Sequence, residues 1–486
     1  MNLAPEQMLL WAILIPALAV FGIILTGRWV NIRELVSIFA GLILINLVTG
    51  LYQVVADGGV VAYQGPELFS GLTVAFAIEP LGMLFALVAG YLWLVTTVYS
   101  IGYMRGHKEE KQTRFFACFA VAISSVMGIA FSANLFTLFI FYEILTLSTY
   151  PLVTHSGTIE AKLGGRVYLG VLLTTSILFL LLAIIGTWFV TGSLDFRDGG
   201  LFDSSTLGAA AVLLPLFIFG IGKAAIMPFH RWLPAAMVAP TPVSALLHAV
   251  AVVKAGVFSV LKVCVYIFGL DTLRQLPTTD YLLYLAALTV LLASIVAMRQ
   301  DNLKARLAYS TVSQLSYITI GALLATSAGV VGGAMHIAMH AFGKITLFFC
   351  AGAIMVAAHK TEISQMRGLG RQMPITMIAF FIGSLSIIGL PPTGGTWSKW
   401  FLMIGALDAG QGVIMAVLMI SSLLNIAYLL PIPIRAFYPS DDVERPTGIK
   451  EAPLPSLVAL SVTAAGCIVL FFFTGPLYEL ARAILS

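Results

Sequence analysis

Apolar runs of about twenty residues, each long enough to cross a bilayer as a helix, recur from one end of this 486-residue chain to the other. No other feature narrows the possible folds as far. In hydrocarbon every backbone amide and carbonyl must find a partner, so only helices and closed barrels span. Barrel strands would read as alternating segments of about ten residues, whereas these runs are continuous. The chain is 59% hydrophobic and 10% charged, where soluble domains carry about 25% charged residues. The expected fold is therefore an all-α polytopic membrane protein.

Hydropathy and length divide the chain into about fourteen spans. They cover roughly 8–27, 34–55, 78–102, 115–131, 134–154, 165–191, 207–227, 242–266, 281–298, 305–325, 329–357, 374–402, 411–433 and 454–476. The seventh and twelfth look interrupted. No basic stretch precedes the first segment, so it is expected to be a span rather than a cleaved signal. The sizeable polar loops are expected at Arg105–Arg114, Ser193–Ser205 and Tyr438–Lys450.

The positive-inside rule tests this count. Alternate loops, starting after the first span, hold Arg28, Arg33, Arg105, Lys108, Lys111, Arg114, Lys162, Arg166, Arg231, Arg299, Lys304, Arg306, Lys360, Arg367, Arg371, Arg435, Arg445 and Lys450. The opposite side holds Arg197, Arg274 and Arg482. Adding or removing one middle span would scramble this separation. Both termini are expected on the outer face of a cell inner (plasma) membrane.

Five of the 26 basic residues remain, and all fall inside spans: Lys223, Lys254, Lys262, Lys344 and Lys399. One acid, Glu143, lies in mid-span, and His248, His336 and His340 join the set. A charge at mid-bilayer costs about 2.5–3.5 kcal/mol on insertion scales, so such groups must face the bundle interior, pair, or meet water. A buried lysine loses its proton far more readily than one in water, whereas arginine keeps its own. Glu143 beside a buried lysine would hold that lysine charged while paired and release it on separation. Lys262, near the outer end of its span, is expected to snorkel.

Spacing supports a line of these groups. His336, His340 and Lys344 stand at i, i+4 and i+8, on one helix face. Ser244, Ser310, Thr311, Ser313, Ser316 and Thr346 are candidates to hold waters between them. His248 stands six residues before Lys254, off its face. Helix breaks accompany two of the lysines: Pro228 follows Lys223, and Pro391 and Pro392 precede Lys399. Irregular backbone at membrane depth survives where it is buried in protein or lines a wet cavity. Two interrupted spans in corresponding positions point to inverted repeats meeting at a conduction site. The expected division is 1–114 (spans 1–3), 115–270 (first five-helix repeat, spans 4–8), 271–436 (second, spans 9–13) and 437–486 (loop and span 14).

Plainer readings stand beside this one. A lysine can pair with Glu143 for structure alone, and a lone span histidine is often a satisfied core residue. The net charge of +4 is small and dispersed, so no nucleic-acid partner is expected. Cys118, Cys264, Cys350 and Cys467 sit singly in apolar runs and lack paired metal or redox spacing. His336 and His340 have no third ligand nearby, so no metal site is expected. "FGIGKAA" lacks the earlier glycine and the following Ser/Thr of a phosphate loop. No dinucleotide, iron–sulfur or haem motif is present, so no cofactor is expected and the chain is read as a transporter subunit, not an enzyme. Loop residues Glu109, Glu110 and Glu160 are expected to be solvated.

The stretches "FYEILTLSTYPLV", "KAAIMPFHRWLPAAMVAPTPVSALLHAVAVVKAGVF", "RQDNLKARLAYSTVSQLSYITIG", "HIAMHAFGKITLFFCAGAI" and "GLPPTGGTWSKWFLMIGAL" resemble the antiporter-like membrane subunits of respiratory complex I and the Mrp cation/proton antiporters. The resemblance covers about residues 75–435. It implies fourteen spans, inverted five-helix repeats, and broken helices seven and twelve. It also implies roles: Glu143 and Lys223 as a switching pair, His248, Lys254, His336, His340 and Lys344 as a central relay, and Lys399 as the lysine of the outward half-channel. "SKWFLMIGALDAGQ" and "SSLLNIAYLLPI" look most like the D-type member of the Mrp antiporter subunits. The implied partners are other membrane subunits, the bilayer, protons, and sodium through the complex. Complex I-like, hydrogenase-type and bicarbonate-uptake relatives are the alternatives.

Overall fold

The structure, a computed structural model, describes residues 3–69, 71–438 and 448–485. Arg445 and most of the expected Tyr438–Lys450 loop lie outside the described residues. Among the described residues, eleven helices have the length and apolarity to cross a membrane. They are α1 (Pro5–Leu25), α2 (Val30–Ala56), α3 (Pro80–Gly106), α4 (Gln112–Ala130), α5 (Leu135–Val153), α6 (Ile159–Thr191), α8 (Thr241–Phe268), α9 (Pro277–Arg299), α11 (Ser327–Ala358), α13 (Gly412–Ala436) and α14 (Leu454–Phe472). Three further elements complete fourteen. α10 (Leu303–Leu323) is more polar. α7 (Leu207–Gly220) is short, and α12 is split into Pro374–Ile388 and Gly395–Asp408. A short helix, α15 (Gly475–Arg482), follows α14.

Two features depart from the expected layout. Between α2 and α3 the chain forms an antiparallel hairpin, β1 (Ala62–Phe69) and β2 (Leu72–Ala77). Its alternation is too short to compete with the neighbouring apolar runs, so hydropathy passes over it. The second departure is in α7, which ends at Gly220, not near 227. Lys223 stands beyond it, on a single tight turn, Gly222–Ala224. Chain resumes as helix only at Trp232–Ala235.

Burial grades the helices. The spans of α1 and α2 are only 33% and 39% buried, whereas α8 is enclosed along its whole length and α11 largely so. A helix apolar on every side belongs at the centre. α11 packs against α8, α10, both halves of α12, and α14. α8 packs against the turn that follows α7. The ionisable residues of α8 and α11 are thereby placed in the middle of the bundle.

Candidate functional site

The α7 break is built by its neighbours. Gly222 and Lys223 lie beyond the last helical turn, so their backbone groups need other partners. The Trp232 indole donates to the Gly222 carbonyl at 3.0 Å, and the Lys223 amide donates to the Tyr142 hydroxyl at 3.2 Å. Ala225 takes φ 55°, in the left-handed region that side chains avoid. α8 crosses this turn at Gly256, where an added Cβ would collide with the Lys223 backbone and the Ala224 amide. Met227–Pro228 and Pro391–Pro392 are both cis.

Lys223 is wholly buried. Its Nζ donates to the Tyr142 carbonyl at 2.9 Å and to Thr146 Oγ1 at 2.6 Å, and lies 3.1 Å from the Tyr142 ring centroid. All three contacts come from α5, the helix of Glu143. No ion pair joins Glu143 to Lys223 among the described residues; Glu143 Oε1 is buried without a hydrogen-bond partner. The expected pair is thus adjacent in the fold but separated, with the lysine held by neutral oxygens.

The centre is more continuous. Lys254 Nζ lies 2.6 Å from His340 Nδ1, joining α8 to α11. The His340 and His336 rings stack at 5.8 Å. His336 reaches Ser398 Oγ at 2.8 Å through Nδ1 and Gln314 Oε1 at 3.2 Å through Nε2. A serine hydroxyl donates or accepts, so it serves either protonation state of the ring. Tyr317 stacks on His336 at 5.6 Å, and its ring also lies 4.7 Å beneath Lys399 Nζ. Lys399 donates to the Ile388 carbonyl at 3.0 Å, one of those freed by the α12 break, and to Ser422 Oγ at 3.1 Å. A bonded and stacked line therefore runs Lys254, His340, His336, Lys399.

Lys344 leaves that line. Its Nζ donates to Ser310 Oγ of α10 at 2.6 Å and to the Leu307 carbonyl at 3.3 Å. His248 sits in a wide π turn, Leu246–Val250, against Phe348 at 4.6 Å, with both ring nitrogens buried and unpartnered. Ser244, one turn earlier, is unpartnered too. Thr311, Ser316 and Thr346 bond back to their own helices, and Ser313 bonds Ser294. Of the candidate water-holding residues, Ser310 is the one bonded to a relay group. Tyr317, Gln314, Ser398 and Ser422 escape sequence reasoning because hydroxyls and amides inside spans are common and carry no charge.

Lys262 corrects its sequence reading. It does not snorkel: it is wholly buried, pairs with Glu79 at the N-terminus of α3, and donates to the Ser132 carbonyl at 2.7 Å. Its ammonium also lies 4.4 Å over the Phe196 ring. Glu109 is another correction. It is mostly buried and contacts His107 at 3.0 Å and His155 at 3.9 Å, while Glu110 and Glu160 are exposed as expected. Among the described residues no cluster of three His, Cys, Asp or Glu side chains is arranged to hold a metal.

Residues 132–425 match the family described as NADH:quinone oxidoreductase/Mrp antiporter, transmembrane, and residues 70–116 match the N-terminus of complex I chain 5. Among curated proteins, NADH-quinone oxidoreductase subunit N of Desulforudis audaxviator is 34% identical over 82% of each chain. NAD(P)H-quinone oxidoreductase chain 5 of Synechocystis is 34% identical over 68% of this chain, but the match spans only 49% of that longer protein. Two solved structures share the fold. A chain of the Mrp complex from Dietzia has TM-score 0.83 at 22% identity, covering 98% of this chain and 97% of that one. A chain of an archaeal membrane-bound sulfane sulfur reductase has TM-score 0.86 at 24% identity, covering 99% and 98%. The chain belongs to the NADH:quinone oxidoreductase/Mrp antiporter family of membrane subunits.

Proposed function

We propose that this chain carries protons as a membrane subunit of a multisubunit complex, and that the complex is an Mrp-type sodium/proton antiporter. One observation carries the first part: Lys254, His340, His336 and Lys399 are buried and joined through contacts from α8 to α12. Lysine and histidine both gain and lose protons when buried, and a line of them in contact serves as a proton path. In this reading Glu143 and Lys223 form the inner inlet and switch, His248 and Lys344 belong to the central group, and Lys399 opens outward. Pro228, Pro391 and Pro392 keep the two breaks open beside their lysines. The two breaks belong to repeats at 115–270 and 271–436, flanked by 1–114 and 437–486. Both termini lie outside an energy-transducing plasma membrane.

Sodium takes another route. A hard cation wants several oxygen ligands, and Glu143 is a single carboxylate. The Mrp assignment draws on the "SKWFLMIGALDAGQ" and "SSLLNIAYLLPI" stretches. The names of the curated relatives favour a second reading, a proton-pumping subunit of a redox-driven complex whose cofactors sit in partner subunits.

Inside-out vesicles holding the whole complex, acidified by a separate respiratory enzyme, test both. Added sodium should collapse the pH gradient in wild type and not in Lys223→Ala. No response in wild type removes the antiporter reading and leaves the redox-driven one. An equal response in both makes Lys223 structural.

A further inference from the structure

A second set of hydrogen-bonded groups runs from Lys344 toward Lys399. One turn along α11 from His340, Lys344 donates to Ser310 Oγ, which lies 2.9 Å from the Tyr428 hydroxyl of α13. The Tyr428 hydroxyl lies 2.5 Å from Asn425 Oδ1. Tyr428, Asn425 and Ser421 follow one another at helical spacing on the buried face of α13, and Ser422 beside them bonds Lys399. Ser421 in turn contacts Ser294 at 3.4 Å, and Ser294 contacts Ser313 at 3.0 Å. Asn425 is wholly buried, yet its Nδ2 has no partner. A buried amide donor without an acceptor is rare in a native core. Water held by Asn425 between the Tyr428 hydroxyl and Ser422 would satisfy it, and would span the nearly two turns that separate them.

We propose that α13 provides a second proton route, from Lys344 through Ser310 and Tyr428 to Ser422 and Lys399, in parallel with the histidine line. This rests on the proton-carrying reading above. Lys344 Nζ gives a proton to Ser310 Oγ, Ser310 turns its own hydroxyl proton to the Tyr428 oxygen, and the Tyr428 proton turns from Asn425 Oδ1 to the bridging water. The water protonates Ser422, and Ser422 passes its proton to a neutral Lys399, so one proton leaves Lys344 Nζ and one arrives at Lys399 Nζ. Asn425 does not carry the proton; it positions the bridge. His340 and Lys344, one turn apart on α11, are the two arms of the fork, and Lys399 is where they rejoin.

The test is a set of six complexes in the vesicle assay: wild type, Tyr428→Phe, Ser310→Ala, His336→Gln, the Tyr428→Phe/His336→Gln double variant, and Lys399→Ala, each normalised to assembled complex. Parallel routes predict that each single variant keeps a substantial fraction of the wild-type rate. The two residual rates should add to roughly the wild-type rate, and the double variant should fall to the level of Lys399→Ala. Ser310→Ala breaks the same arm one bond earlier and should reproduce Tyr428→Phe, which guards against a folding defect in one variant. The proposal is overturned if Tyr428→Phe matches wild type and the double variant matches His336→Gln. It is equally overturned if Tyr428→Phe alone is as inactive as the double variant, because the groups then act in series or the tyrosine is structural. Wild-type transport by Lys399→Ala would instead sink the proton-carrying reading itself.

Discussion

The two broken helices present a lysine each, in opposite ways. Lys223 stands within its break, and every contact to its ammonium comes from another helix, α5. Lys399 stands past its break, on the second half of α12, and turns back to the Ile388 carbonyl of the first half. A carboxylate rides on the helix that holds Lys223. Beside Lys399 stand a serine and an aromatic face. A lysine held by a neighbouring helix moves with that helix, so its partners change when the packing changes. A lysine tied to its own helix keeps its partners. The first arrangement suits a switch and the second a fixed carrier.

The comparison breaks most sharply under substitution of the lysines. Lys223→Arg should abolish transport as fully as Lys223→Ala, since arginine keeps its proton. Sodium- or substrate-driven pH change in vesicles checks this; normal transport by Lys223→Arg would end the switch reading. Next comes Glu143→Gln, which should cripple transport while the complex still assembles. An acid at position 143 matters only for the lysine held from α5, so no neutral substitution around Lys399 should cost as much.

Smaller effects sharpen the contrast. Thr146→Val removes the 2.6 Å contact to Lys223. Hydrogen bonds to charged groups are worth about 1.5–3 kcal/mol, so the protonation balance of Lys223 should shift by about ten- to a hundredfold, seen as a displaced pH optimum of transport. Ser422→Ala should displace it less, because the contact it removes from Lys399 is longer, 3.1 Å. Gly256→Ala drives a methyl into the Lys223 turn, and overpacking of this kind costs about 1–3 kcal/mol. Thermal unfolding of the purified complex should register the loss.

The smallest effect concerns the loop that follows α5. His155, just past the end of α5, is pushed below its usual value by burial, against the opposing pull of Glu109. The folded state therefore binds this proton less readily than the unfolded one. Its contribution is full above the ordinary histidine range and is lost as pH falls through it. Wild type should lose thermal stability between about pH 7 and pH 5 more steeply than His155→Asn; equal slopes would remove His155 as the cause.

Much of this was legible in the chain. Periodic apolar runs and the sidedness of the basic residues gave fourteen spans, because bilayer thickness and backbone hydrogen bonding leave a helical chain few alternatives. The five lysines were conspicuous because charge in hydrocarbon is costly. Less could be read where partners come from far along the chain. Lys262 looked free to snorkel because Glu79, its partner, lies far away in sequence. The α7 helix seemed to run to its proline, whereas it stops at Gly220 and the turn that follows is bonded by Trp232 and Tyr142, which come from elsewhere in the chain.

The sequence by itself determined which residues are ionisable inside the membrane and how many helices carry them. Those are properties of composition and spacing. Only the tertiary structure decided which oxygen each ammonium meets. It left Glu143 without an ion pair to Lys223, stacked Tyr317 between His336 and Lys399, and brought Tyr428 to Ser310. Those contacts depend on how helices cross, and crossing is fixed by side-chain packing between segments that no local pattern connects.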